Sequence, residues 1–148
     1  MKPMRIVVAS DHAGLDLKRH VQEFLQREGC SVTDVGTHTE DACDYPDFAL
    51  EGARRLAAGE FDCGVFVCGT GMGVSITANK VKGIRAAPCT LELMAEMARR
   101  HNDANVVCLG ARLIGLGLAE AITRRFLETE FEGGRHARRV DKIKALDR

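Results

Sequence analysis

A doubly wound α/β domain is the fold class this sequence predicts: a Rossmann-like five-stranded parallel sheet with helices on both faces and a C-terminal basic helix. Two observations predict it. Five short, nearly continuous apolar runs alternate with stretches of helical periodicity. The runs also lack the in–out alternation of a sheet with one wet face, as expected for strands covered on both sides.

Taken in order, Met4–Ala9 (MRIVVA) reads as the first strand and ends in the polar Ser10-Asp11-His12. Leu17, Val21 and Phe24 then follow at helical spacing until Gly29 stops the helix. Ser31–Val35 is a second short strand, and Gly36–Tyr45 is a polar loop with turn chemistry. Pro46 suits the first turn of a helix whose Ala49, Ala53 and Leu56 share a face, ended by Gly59. Phe61–Cys68 is the third strand, followed by Gly69-Thr70-Gly71-Met72-Gly73 and a helix running to Asn79-Lys80. Gly83–Ala87 is expected as the fourth strand and Leu91–His101 as a helix with Met94, Met97, Ala98 and His101 on one face. Asn105–Gly110 is the fifth strand and Leu116–Glu128 a helix aligning Ala119, Ile122 and Phe126. Beyond the Gly133-Gly134 break, Arg135–Arg148 reads as a basic terminal helix or arm.

With 148 residues, 45% hydrophobic and 28% charged, the chain has the size and balance of one domain spanning residues 1–148, and disordered and fibrous classes drop out. Lys plus Arg equals Asp plus Glu at 21 each, so bulk charge gives no reason to expect nucleic acid or a membrane surface as partner. The opening MKPMRIVVASDHAG has too short an apolar stretch for a signal peptide, and the expected location is the cytoplasm. Six cysteines in that setting favour free thiols. Without a C-x-x-C pair or an H-x-x-x-H, no metal site is expected.

In parallel sheets the ligand lies beyond the carboxyl ends of the strands, so those loops carry the functional expectation. Cys68-Gly69-Thr70-Gly71-Met72-Gly73 is the most informative. Its alternate glycines let backbone N–H groups converge on an anion at a helix start. A dinucleotide site would want a different glycine spacing and a ribose-binding acid. A receiver domain would want aspartate at Cys68, and a cysteine phosphatase loop arginine at Val74. Cys68 stands where the helix start favours a thiolate, able to act as nucleophile or as base. In the first loop, Ser10 or Asp11 suits a helix cap, and His12 is placed to meet a ligand. His101 reads equally as a core or interface histidine. Arg112 puts a cation after the fifth strand, and residues 135–148 hold six Lys or Arg against two Asp. Arg135 and Arg139, four apart on a helix, would project together and clamp a phosphate.

These motifs resemble the type B ribose-5-phosphate isomerases and the related galactose-6-phosphate isomerase subunits. The likeness runs from about Ile6 to Asp141, through SDHAG, CDYP (43–46), CGTGMGVSITANK (68–80), GIRAA (83–87), RRHNDANV (99–106), LGARLIG (109–115) and EGGRHARRV (132–140). The resemblance implies interconversion of ribose 5-phosphate and ribulose 5-phosphate in the pentose phosphate pathway without metal or organic cofactor. It also implies a homodimer or dimer of dimers whose active site is shared between subunits. Carried onto matching positions, it makes Cys68 the base that moves the proton between C1 and C2. Thr70 and the Gly69, Gly71, Met72 and Gly73 amides stabilise the cis-enediolate, and His101 assists opening of the furanose ring. Asp11 contacts the sugar, with Tyr45 beside it. His12, Arg135 and Arg139 form the phosphate cluster, with Asn102 and Arg112 as further ligands. Some members carry a glutamate base where Val74 stands here, so this chain resembles the cysteine subtype. A galactose- or allose-6-phosphate isomerase and a non-catalytic sugar-phosphate binding module are the alternatives.

Overall fold

The computed structural model describes residues 1–148 and contains eleven elements: β1 (Arg5–Ser10), α1 (Leu15–Arg27), β2 (Ser31–Asp34), α2 (Tyr45–Ala57), β3 (Cys63–Cys68), α3 (Met72–Ala78), β4 (Ala86–Pro88), α4 (Glu92–Asn102), β5 (Val106–Gly110), α5 (Leu116–Glu128) and α6 (Arg135–Lys144). The strands form one sheet in the order β2-β1-β3-β5-β4, every pair parallel. Parallel pairing forces each connection to cross back over the sheet, and the helices do so on both faces. The apolar face of α1 (Leu17, Val21, Phe24, Leu25) packs with Ala95, Ala98, Ile122 and Phe126 of α4 and α5 in one core. Ala49, Ala53 and Leu56 of α2 meet Val74 and Ala78 of α3 in the other. Ile6, Val7, Val8, Val65, Phe66 and Val67 are fully enclosed between them, each worth about 1.5–3 kcal/mol of burial.

Two expectations need correction. The fourth strand is three residues long, Ala86–Pro88, and does not begin at Gly83. Gly83 adopts φ +88° in a turn where the Ile84 N–H donates to the Val81 carbonyl, so Ile84 reaches the core from a turn. Pro88, which lacks an N–H, is tolerated because β4 is an edge strand. On α4 the buried face is Ala95 and Ala98, while Met94 is exposed and His101 half-buried. Arg135–Lys144 is a helix, packed against α4 through buried His136.

The strand order puts the site where it is. From β1 the chain passes through α1 to β2 on one side, and from β2 through α2 to β3 on the other side of β1, so the crevice at the carboxyl ends of β1 and β3 is the switch point. Ser10 pairs with Val67 there, and Cys68 with Gly110. A buried cation braces the rim: the Lys18 ammonium of α1, with no exposed surface, donates to Asp34 at 2.8 Å and to the Thr37 carbonyl. Burial pushes the Lys18 ammonium below its usual pKa, and the bonds to Asp34 oppose that. The Thr37 N–H in turn donates to the Ser10 carbonyl at 2.7 Å, so Lys18 ties the loop after β2 to the end of β1.

Candidate active site

Beyond the ends of β1 and β3 lies a cleft of about 290 Å³ lined by Asp11, His12, Ala13, Tyr45, Cys68, Gly69, Thr70, Gly73 and Arg112. Cys68 is the last residue of β3 and only 4% exposed. Its Sγ accepts a hydrogen bond from the Gly71 N–H at 3.2 Å. That bond exists because Gly71 adopts φ +80°, a left-handed conformation that turns its amide back toward the strand end. The expected set of oxyanion donors is thereby redistributed: Gly71 serves the sulfur, and the Met72 N–H donates to Thr70 Oγ1 at 3.3 Å. The remaining first-turn N–H groups of α3, at Gly73 and Val74, have no carbonyl of their own helix to bind.

Gly73 serves a close approach. A Cβ there would lie 2.5 Å from the Tyr45 ring, which begins α2 and walls the cleft. Asp11 Oδ1 accepts the Gly14 N–H at 3.0 Å and so holds the turn before α1; the N-cap itself is Gly14, with no side-chain cap bond, so neither Ser10 nor Asp11 caps the helix as expected. His12 Nδ1 accepts the Cys43 N–H at 3.2 Å, which leaves the ring proton on Nε2 and makes that edge a donor. Cys43 also brings its thiol to 3.8 Å from the same nitrogen, a contact that spacing alone does not reveal. The Arg112 guanidinium packs against Gly69, and the Arg112 backbone N–H donates to the Gly69 carbonyl at 2.9 Å. It forms no ion pair within the chain, so a cation faces the cleft unneutralised.

Its place in the cleft and the backbone N–H on its sulfur separate Cys68 from the other buried thiols. All six cysteines are free. Burial in apolar surroundings pushes Cys63 and Cys89 up to about 11 and Cys108 well above the ordinary thiol range, which keeps them protonated and inert. Cys43 is half-buried beside His12 and is not a core thiol.

The rest of the expected constellation lies elsewhere in the chain. His101 and Asn102 end α4, which runs from the carboxyl end of β4 back to the start of β5. Its eleven residues span about 16 Å, so they reach the edge of the sheet opposite Cys68. There the Asn102 carbonyl accepts Arg85 Nε at 3.1 Å, and His101 stacks on His136 of α6. Arg135 and Arg139 are exposed one turn apart on the same helix, and neither has an ion pair within the chain. The structure thus brings Asp11, His12, Tyr45, Cys68, Gly69, Thr70, Gly73 and Arg112 together, with Gly71 as the N-cap and Met72 as the first residue of α3 beside them. His101, Asn102, Arg135 and Arg139 form a second group outside the cleft.

One arrangement of metal-ligand type occurs, at that second group: His101, Glu132 and His136 bring ligand atoms within 4.8 Å of one another. The two imidazoles are parallel to within 9°, so no single ion can lie in both ring planes, and Arg100 already binds Glu132 at 3.2 Å. A second hollow of about 330 Å³, lined by Met1, Met4, Cys63, Arg99 and Leu127 among others, lies at the starting edge of the sheet. Its only thiol is the protonated Cys63.

Residues 6–143 match the ribose/galactose isomerase family. Ribose-5-phosphate isomerase B of Escherichia coli is 43% identical over 143 residues, covering 97% of this chain and 96% of that protein. The structure of Clostridium thermocellum ribose-5-phosphate isomerase B superposes with a TM-score of 0.95 at 52% identity, covering 97% of each chain. That of ribose-5-phosphate isomerase B from Mycoplasma genitalium with bound ribulose 5-phosphate gives 0.93 at 44% identity, covering 98% and 96%.

Proposed function

The chain belongs to the ribose/galactose isomerase family, and on that premise we propose that it interconverts ribose 5-phosphate and ribulose 5-phosphate through a cis-enediolate. The observation that carries this reading is the Cys68 thiol, held by the Gly71 N–H in a cleft lined by Asp11, His12, Thr70 and Arg112. The Escherichia coli relative and the ligand-bound Mycoplasma genitalium structure supply the choice of a five-carbon sugar phosphate.

In the open-chain aldose, the Cys68 thiolate takes the proton from C2, and the electron pair moves onto the C1 oxygen. The free N–H groups at the start of α3 and Thr70 Oγ1 hold the resulting oxyanion. The hydroxyl proton on O2 passes to O1, and the Cys68 thiol returns its proton to C1 as the C2 carbonyl forms. No residue of the cleft is a metal ligand in this scheme, and the reaction is read as cofactor-independent. The phosphate is bound equally before and after proton transfer, so its cations serve orientation.

A second copy of the chain completes the site. Cys68 and the group around His101, Arg135 and Arg139 lie at opposite edges of one sheet, so a single protomer cannot apply both to one small sugar. Met72 and Ile76 after β3, Leu91 and Leu93 after β4, and Leu113 and Leu116 after β5 are exposed on the side that bears the cleft, which suits a subunit contact. In that assembly His101 of one copy assists ring opening, and Arg135, Arg139 and Asn102 join His12 and Arg112 of the other around the phosphate. No helix is long and apolar enough to cross a membrane, and the cytoplasm is the compartment proposed.

The test is direct. Purified protein is incubated with ribose 5-phosphate and with galactose and allose 6-phosphates, with and without chelator, and ketose formation is followed. Turnover of the pentose, undiminished by chelator, is expected. Preference for a six-carbon sugar moves the assignment to a hexose-phosphate isomerase, and binding without turnover of any sugar leaves only a binding module.

A further inference from the structure

His101 and His136 form a stacked pair, with ring centroids 4.1 Å apart and planes within 9°. The two differ in access. The His101 side chain is 38% exposed, whereas His136 is 6% exposed and has no open edge for a substrate. His136 Nε2 is buried and has no hydrogen-bond partner. The carboxylate oxygen facing it is Glu132 Oε1 at 3.7 Å, too far for a hydrogen bond, while Glu132 Oε2 lies 4.0 Å from His101 Nε2. Glu132 is itself fixed: its N–H donates to the Arg100 carbonyl at 3.0 Å, and its carboxylate is bound by the Arg100 guanidinium.

A buried nitrogen without a partner is unfavourable, so something else keeps the imidazole there. Its ring face is what the structure uses. We propose that His136 is a positioning residue for His101: a neutral aromatic platform that fixes the His101 ring and supports it in the charged state it passes through during ring opening. The surroundings agree. Burial, His101 itself and the neighbouring Arg135 and Arg139 all hold His136 below its usual pKa, with Glu132 opposing them, so the platform stays neutral. An imidazolium over a neutral aromatic face is favoured by the ring quadrupole, and Glu132 stands beside the exposed member to balance its charge. The platform covers one face of His101 and leaves the side chain 38% exposed.

This inference rests on the ring-opening role given to His101, and its test separates the two. Ribulose 5-phosphate cannot close to a furanose, because the hydroxyl that would close it carries the phosphate. Exchange of its C1 proton with heavy water therefore needs Cys68 but no ring chemistry. His136→Leu is expected to lower kcat on ribose 5-phosphate about tenfold, with KM within about twofold and C1 exchange within about twofold of wild type. His136→Phe, which keeps the flat face, restores aldose turnover. The double variant His101→Asn/His136→Leu is expected to be no slower than His101→Asn alone, since both changes remove one function.

Unchanged aldose turnover in His136→Leu, equal loss of both reactions, or a multiplied loss in the double variant overturns the inference. If leucine loosens the packing, seen as a lowered melting temperature, His136→Phe still decides: slow aldose turnover with intact exchange there also overturns it. A wild-type protein that does not isomerise ribose 5-phosphate defeats the proposed function itself. The ratio of the two reactions across the variants bears on His136 alone.

Discussion

Replacing Cys68 by serine and by alanine separates what its sulfur does for the fold from what it does for the reaction. The thiol is nearly enclosed, and its Sγ is the acceptor for the Gly71 N–H at 3.2 Å. Alanine leaves that buried N–H unsatisfied, a penalty of about 1–3 kcal/mol. In a chain of this size each kcal/mol moves Tm by about 2–4 °C, so a loss of about 2 kcal/mol lowers Tm by roughly 4–8 °C. Serine keeps an acceptor in place and is expected to melt near the wild-type temperature. A serine hydroxyl is nevertheless a far poorer proton acceptor than a thiolate. Both variants should lose about 10²–10⁴-fold in kcat on ribose 5-phosphate, the contribution of a positioned general base. Loss of C1-proton exchange from ribulose 5-phosphate should match it, and phosphate-competitive binding should survive. Calorimetric melting beside a coupled ketose assay reads both quantities. A serine variant that keeps more than a tenth of wild-type turnover refutes the assignment of Cys68 as the base.

Two further outcomes follow from buried charge. Lys18→Ala removes one partner of a buried pair and leaves Asp34, 15% exposed, without its cation; a loss of about 3 kcal/mol or more is expected in urea unfolding. A change below about 1 kcal/mol would show that Lys18 does not brace the cleft rim. His136 is held below its usual 6.5, so as pH falls below 6.5 the unfolded chain binds a proton that the folded chain refuses, and stability declines. Melting temperature between pH 7 and pH 5 should therefore fall less steeply in His136→Phe than in wild type. Parallel slopes would contradict a native state that keeps His136 neutral.

The alternation of strand and helix was legible because a two-faced parallel sheet leaves unbroken apolar runs such as Cys63-Gly64-Val65-Phe66-Val67-Cys68. Leu116–Glu128 emerges with the expected bounds because its apolar positions recur at helical spacing. Gly83–Ala87 misleads because a run containing Ile84 reads as strand, while the positive φ of Gly83 and the Asn105 side chain, which accepts the Arg85 N–H at 2.9 Å, make it a turn. The loops after β1 and β3 could be singled out in the sequence as strand ends, but that they meet follows only from the strand order, which puts β1 beside β3. The Cys43 contact to His12 and the His101–His136 stack were not legible. Each joins residues 31 or 35 apart, on elements whose packing no local pattern encodes. The separation of the His101 group from the Cys68 cleft needs the direction of α4, which becomes meaningful only once β5 is placed between β3 and β4.

Subunit complementation tests the two-chain site most directly. Cys68→Ala and His101→Asn variants, each of low activity alone, are co-expressed with different tags and assayed on ribose 5-phosphate. In a statistical mixture half the dimers are mixed, and each mixed dimer holds one site with wild-type Cys68 from one chain and wild-type His101 from the other. About one quarter of wild-type activity is therefore expected, concentrated in the doubly tagged fraction. A doubly tagged fraction no more active than its two parents would contradict a site built from two chains.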